Sequence, residues 1–307
     1  MQTLTLRAPA KLNLYLKVLN KRPDAFHNIE TVFEKISLCD TISLKKRKAG
    51  IKVFCRHKDV PKDKTNLCFQ AAKLLLAKAK RREGIEIRIT KKIPVAAGLG
   101  GGSSDAASVL LGLNKLLLLG LRRSELFSLA QTLGADVPFF LLGQIRALGL
   151  GKGEELRSLR LKRKNWYVLI IPRGLKVSTR RMYQHPRLTL TKAPGSVKIV
   201  LRALEKGDLT TLNKYTYNSF EQILRKEYKE IQKIKKALKT SGAVATIMSG
   251  SGPCVFGMAQ TRKEAMDISN RLKAQEKDWQ VIVASTFNIK GGISNHGDHR
   301  GKNFFTR

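Results

Sequence analysis

The chain has 307 residues and carries 59 Lys plus Arg against 23 Asp plus Glu, a formal net charge of +36. Hydrophobic residues make up 42% and charged residues 27%, which excludes wholesale disorder, and the length suits two domains with a cleft between them. The basic residues are spread along the chain, only 7% of residues are aromatic, and neither zinc-finger spacing nor aromatic-bearing RNA-binding strands occur, so the charge reads as a solvated surface and no dedicated nucleic-acid partner is expected.

The first residues alternate apolar and polar around Arg7 and Lys11, unlike a signal peptide or a spanning helix. Leu12, Leu14, Leu16 and Val18 then follow the period of a strand with one buried face, which places Lys11, Asn13 and Tyr15 on the other. Cys39, Cys55, Cys68 and Cys254 form no C-x-x-C pair, which speaks against a disulfide framework or a cysteine zinc site and fits a reducing cytoplasm. Asn66 is a helix cap for a stretch running to about Arg82, with Gly84 as its stop, and Ile85, Ile87 and Ile89 alternate as a further strand.

Directly after that strand comes IPVAAGLGGGSSDAA, residues 93–107, followed by an apolar helical stretch to about Leu119 that is too short to cross a bilayer. Around Gly149 to Glu155 the pattern dissolves into LGLGKGEEL, which divides the chain into domains 1–155 and 156–290. The second half reads as a strand at Tyr167 to Ile171, helices from about Lys192 to Lys239, two strands between Ala243 and Met258, a helix opened by the Thr261/Glu264 capping box, and a strand at Val281 to Ser285. That order suits an α+β layer of helices on a mostly antiparallel sheet. Residues 291–307 read as a mobile tail, in which His296 and His299 are solvated rather than metal ligands.

Gly98, Gly100, Gly101 and Gly102 let the backbone approach a phosphate with its N–H groups exposed, and Ser103, Ser104 and Asp105 offer the start of a helix whose amides favour an anion. No Gly-Lys-Ser or Gly-Lys-Thr follows, and Ser103 stands where a dinucleotide fingerprint has its third glycine, so both of those readings are disfavoured; a turn without ligand is the plain alternative. Asp136, in GADVP, is a lone acid among apolar residues, where burial is costly without a compensating cation.

The run PVAAGLGGGSSDAA resembles the phosphate loop of the GHMP kinases, and three further segments strengthen this: APAKLNLYLKVLNKRPDAFHNIETVF at 8–33, LGADVPFFL at 133–141 and ATIMSGSGPCVFGM at 245–258. The resemblance implies a two-lobed α+β fold, with a ribosomal-S5-like N-terminal lobe, a ferredoxin-like C-terminal lobe and the active site in the cleft. It implies phosphoryl transfer from ATP, with Mg²⁺, to a hydroxyl of a small cytidine diphosphate derivative, by a monomer or weak homodimer with no membrane partner. Lys11 and Asp136 would be the catalytic pair. Pro94, Ala97, Gly98, Leu99, Gly100, Gly101, Gly102, Ser103 and Ser104, with Asn66, would hold the nucleotide; Asn66 is equally explained as a helix cap. Asn13, Phe26, His27, Thr179, Tyr183, Ser249, Gly250, Ser251 and Gly252 would bind the acceptor, with Phe26 and Tyr183 sandwiching the cytosine and His27 bonding its edge. Phe26 departs from the family, which usually has Tyr there, and loses a hydroxyl contact. No carboxylate cluster announces a metal cage, so no metal ligand is assigned.

Overall fold

A computed structural model describes residues 3–161, 163–175, 177–188, 191–224, 229–288 and 293–296. The first lobe opens with two long strands, β1 (Thr3–Lys21) and β2 (His27–Arg47), then β3 (Ile51–Cys55), helix α1 (Leu67–Lys78), β4 (Gly84–Thr90), and helices α2 (Gly101–Leu116), α3 (Arg123–Leu133) and α4 (Val137–Leu141), before β5 (Arg146–Leu150) and β6 (Glu155–Leu159). β1, β2, β4 and β3 lie in that order, β3 alone parallel to its neighbour, while β5 and β6 extend the sheet from the first half of β2. The alternation that marks these strands buries Leu4, Leu6, Ile42, Leu44, Ile85 and Ile87 against α1 and α2, where they form one core with Leu75, Val109 and Leu113.

The second lobe follows as β7 (Trp166–Pro172), helices α5 (Thr179–Tyr183), α6 (Val197–Lys206), α7 (Leu209–Tyr215), α8 (Ser219–Leu224) and α9 (Lys229–Thr240), then β8 (Val244–Met248), β9 (Val255–Ala259), α10 (Arg262–Gln275) and β10 (Trp279–Ser285). Its sheet, ordered β10-β7-β9-β8 and antiparallel throughout, carries the β-α-β-β-α-β order of a ferredoxin-like unit. The two lobes share a core: Leu12, Leu14 and Tyr15 of β1 pack in one cluster with Tyr167, Phe256 and Ala284 of the second sheet. No helix among the described residues is long and apolar enough to cross a membrane.

Several expectations shift in detail. β6 pairs with β5 in the first sheet, so the change of lobe falls between Leu159 and Trp166, a few residues beyond position 155. Within the segment read as a tail, β11 (Ile293–His296) pairs antiparallel with Thr3 to Leu6, while His299 lies outside the described residues. Tyr15 leaves the face of Lys11 and Asn13, because a bulge between Asn13 and Tyr15 breaks the alternation and turns it toward Leu12 and Leu14. α1 ends at Lys78, where Lys80 turns to φ 52°, and α2 starts at Gly101, inside the glycine run. Thr261 Oγ1 accepts from the Glu264 N–H as expected, but Glu264 reaches back to the N–H of Gln260.

Candidate active site

Between the lobes lies a cavity of about 580 Å³, lined from β1 and β2, the segment 94–103, the start of α4 and the Gly250–Ser251 turn. Lys11 is buried in its wall, only 5% exposed at the side chain, and its Nζ lies 3.4 Å from Asp136 Oδ2 and donates to Asn13 Oδ1 at 2.6 Å. Asn13 Nδ2 in turn donates to Thr31 Oγ1 at 2.8 Å, and that hydroxyl donates to the Tyr15 carbonyl at 2.7 Å. This relay leaves the Asn13 amide one orientation and aims the ammonium at the cavity. The burial runs opposite to the sequence reading: the cation is enclosed, whereas Asp136, at the N-cap of α4, keeps 34% of its side chain exposed.

Two glycine segments meet beneath the pair. Gly98, at φ +77°, packs so closely on the β8–β9 turn that a Cβ there would sit 2.2 Å from the Ser249 carbonyl oxygen, and Ser249 Oγ donates to the Gly98 carbonyl at 3.0 Å. Gly98 therefore serves loop-on-loop packing. Gly100, the left-handed N-cap of α2 at φ +68°, lets Lys11 pass, since a Cβ would lie 2.9 Å from its Cγ. α2 has no side-chain cap, which leaves the first amides of a 16-residue helix free beside the cavity. Gly102 is exposed there, with only an ordinary contact at its Cβ position.

Of the residues singled out from the sequence, Lys11, Asn13, Asn66, Pro94, Ala97, Gly98, Leu99, Gly100, Gly101, Gly102, Ser103, Asp136, Thr179, Tyr183, Gly250 and Ser251 all line this cavity. Thr179 and Ser251 share a hydroxyl hydrogen bond of 2.7 Å across it. Asn66 has both ends of its amide engaged, accepting from Cys68 N and donating to the Pro61 carbonyl. Ser104, Ser249 and Gly252 stand behind the wall, the two serines fully buried. His27 itself stacks on Tyr183, ring centroids 5.5 Å apart, while Phe26 is 56% exposed beneath the ammonium of Lys152. Burial, then the charge of Lys21, holds His27 below its ordinary pKa, and its Nδ1 is buried without a hydrogen-bond partner. Tyr183 is raised by burial and then by the charge of Asp136.

Sequence reasoning missed three contributors. Lys152 lines the cavity from within LGLGKGEEL, read only as a break between domains; a lysine flanked by two glycines was the available signal. Asn218 donates to the carbonyls of Met248 and Gly250, at 2.7 and 2.8 Å, and so shapes the second glycine turn from a distant part of the chain that no local pattern flags. Asp105, read as part of a helix start, lines the cavity and pairs with Lys91 at 3.0 Å. Burial works against the Lys91 ammonium, but Asp105 and Asp40 outweigh it and raise its pKa. The Asp105 carboxyl is raised by burial, with Lys91 opposing and Asp40 adding, and its Oδ1 has no hydrogen-bond partner. No group of three or more metal-ligating side chains gathers among the described residues.

The family model of the GHMP kinase N-terminal domain matches residues 66–144, and that of the C-terminal domain residues 200–278. The sequence is 42% identical over 279 residues to the 4-diphosphocytidyl-2-C-methyl-D-erythritol kinase of Synechococcus sp. (strain JA-3-3Ab), covering 89% of this chain and 90% of that protein. It is 41% identical over 284 residues to the enzyme of that name from Geobacter metallireducens, covering 92% and 98%. The crystal structure of a 4-(cytidine 5'-diphospho)-2C-methyl-D-erythritol kinase superposes with a TM-score of 0.78 at 35% identity, over 92% of this chain and 98% of that one. With the glycine segment at the head of α2, the Lys11–Asp136 pair and the two-lobed frame already in place, these matches put the chain in the GHMP kinase family, in its 4-diphosphocytidyl-2-C-methyl-D-erythritol kinase branch.

Proposed function

We propose that the protein phosphorylates the 2-hydroxyl of 4-diphosphocytidyl-2-C-methyl-D-erythritol with ATP, giving the 2-phosphate and ADP, a step of the methylerythritol phosphate route to isoprenoid precursors. The observation that carries the mechanism is the Lys11–Asp136 pair, 3.4 Å apart, lining one cavity together with the uncapped head of α2. In this reading the substrate oxygen attacks the γ-phosphorus, the bond to the β–γ bridging oxygen breaks, and the hydroxyl proton passes to Asp136. Lys11, fixed by Asn13, neutralises charge on the transferring group. A loose transition state asks for positioning more than for base strength, and a carboxylate held by an ammonium supplies that. The segment 94–104 holds the ATP phosphates through backbone amides, with Asn66 on the nucleotide side. Asn13, Phe26, His27, Thr179, Tyr183 and the 249–252 turn hold the acceptor.

Mg²⁺ would enter with ATP as part of the substrate and would neutralise its β- and γ-phosphates, and no group of three or more metal-ligating side chains among the described residues holds it independently of the nucleotide. The test is coupled ADP release with Mg-ATP and the cytidyl substrate, beside mevalonate, homoserine and galactose. Turnover with the cytidyl substrate alone is expected, and Asp136→Asn is expected to lose at least about a thousandfold in kcat at unchanged melting temperature, on the scale of losing a group that touches the reacting atoms. Activity on another acceptor only would overturn the substrate assignment; wild-type turnover by Asp136→Asn would overturn the role of Asp136.

A further inference from the structure

Helix α4 spans only Val137–Leu141, about 7.5 Å at 1.5 Å per residue, too short to hold itself in place. Yet it sets the position of Asp136, its N-cap. Its other end is tied by two cations. Lys35 Nζ donates to the carbonyls of Phe140 and Leu142, at 3.2 and 2.6 Å, and Arg123 Nη2 donates to the carbonyl of Leu141 at 3.0 Å. Three successive carbonyls at the C-terminal end thus each have a cationic donor, the sign the helix dipole favours there. Among the described residues neither cation forms an ion pair with a carboxylate; Lys35 lies over the ring of Phe139 and Arg123 over that of Phe127.

The strand ladder adds a second constraint. Lys11 and Lys35 are direct partners in the β1–β2 pairing, so one rung supplies a lysine to each end of α4: Lys11 to Asp136 and Lys35 to the last carbonyls. An apolar side chain would fill the Lys35 site without the cost of burying an ammonium. A donor there gains something packing cannot, a fixed distance between the helix and the strand that carries Lys11.

We propose that Lys35 and Arg123 are positioning residues that hold α4 so that Asp136 meets Lys11 and the acceptor hydroxyl, an inference that rests on the role given to Asp136 above. A displacement of Asp136 by about 1 Å costs on the order of a hundredfold in rate. The test uses the full chain with Lys35→Met, Arg123→Gln, Asp136→Asn and the Lys35→Met/Asp136→Asn double variant, measuring kcat, both KM values, single-turnover rates and melting temperature. Lys35→Met is expected to lower kcat by about ten- to a hundredfold with both KM values within about twofold, and to slow Asp136→Asn no further, because it acts through that carboxylate.

Wild-type kcat in Lys35→Met, or a multiplied loss in the double variant, would overturn the clamp. Where Lys35→Met does not fold, Arg123→Gln on the exposed surface of α3 decides: a kcat loss at constant KM supports the clamp and wild-type kcat overturns it. An inert Asp136→Asn beside a fully active Lys35→Met removes the clamp alone, whereas a fully active Asp136→Asn removes the reading beneath it.

Discussion

The buried member of the central ion pair is the lysine. Lys11, at 5% side-chain exposure, has Asn13 and Asp136 on its ammonium, whereas Asp136 keeps contact with the cavity where a hydroxyl would arrive. Lys35 shows the same physics without a carboxylate: burial, and then the charge of Arg123, push its pKa down to about 7. Between about 7 and the ordinary lysine value near 10.4 the unfolded chain holds a proton that the native protein has released, so this group makes stability rise with pH across that window. Denaturant midpoints of the wild type and Lys35→Met at pH 7 and pH 9 check the sign. The wild type should gain on the variant as pH rises, and parallel behaviour would show that Lys35 titrates normally. Both amine hydrogens still reach their carbonyls after deprotonation, so the clamp on α4 outlasts the charge.

Among the elements, the two glycine segments divide their work. Gly98 is bound to a left-handed conformation and to the Ser249 carbonyl, so Gly98→Ala combines backbone strain of about 1–3 kcal/mol with a clash at 2.2 Å that only separation of the two loops relieves. Gly102 has ordinary helical geometry and an open surround, so Gly102→Ala should leave stability within about 0.5 kcal/mol while a methyl group in front of the α2 amides raises the KM for ATP. Urea unfolding with ATP kinetics separates the two. Equal stability loss in both variants would mean that the loop–loop contact does not set the strain. The glycine cluster was visible in the sequence, but its partition was not, because the Ser249 carbonyl comes from about 150 residues away along the chain.

At the scale of the whole molecule, the lobes are joined by a buried polar knot as well as by their shared apolar core. Arg146 of β5, 1% exposed, bonds to Glu34 of β2, to the carbonyls of Leu161 and Arg163 at 2.7 Å each, and to Thr286 Oγ1 at 3.2 Å. Thr286 also donates to Glu34 Oε1 at 2.6 Å and accepts from the Asn165 N–H at 2.8 Å. The first sheet, the chain entering β7 and the chain leaving β10 therefore meet on one ion pair. Arg146→Met should destabilise the protein by about 3–5 kcal/mol by leaving Glu34 buried and unpaired, and adding Glu34→Gln should recover part of it. A loss below about 1 kcal/mol in Arg146→Met would show that water reaches Glu34 and that the knot does not hold the lobes.

The sequence by itself determined the glycine loop, the two-lobed order of strands and helices, and Asp136 as a candidate, because glycine clustering, hydrophobic period and a lone acid among apolar residues are local signals, while Lys11 was nominated only by the family resemblance. Only the tertiary structure decided that Lys11 is the buried member of the Lys11–Asp136 pair, that His27 stacks on Tyr183, that Asp105 and Lys152 line the cavity, and that Asn218 holds its second glycine turn. Each of these depends on a partner elsewhere along the chain: Asp136 for Lys11, Tyr183 for His27, Lys91 for Asp105, Phe26 for Lys152 and Gly250 for Asn218. Burial and charge compensation are properties of the assembled neighbourhood, so a one-dimensional pattern can nominate a charged residue but cannot say which side of the pair the fold encloses.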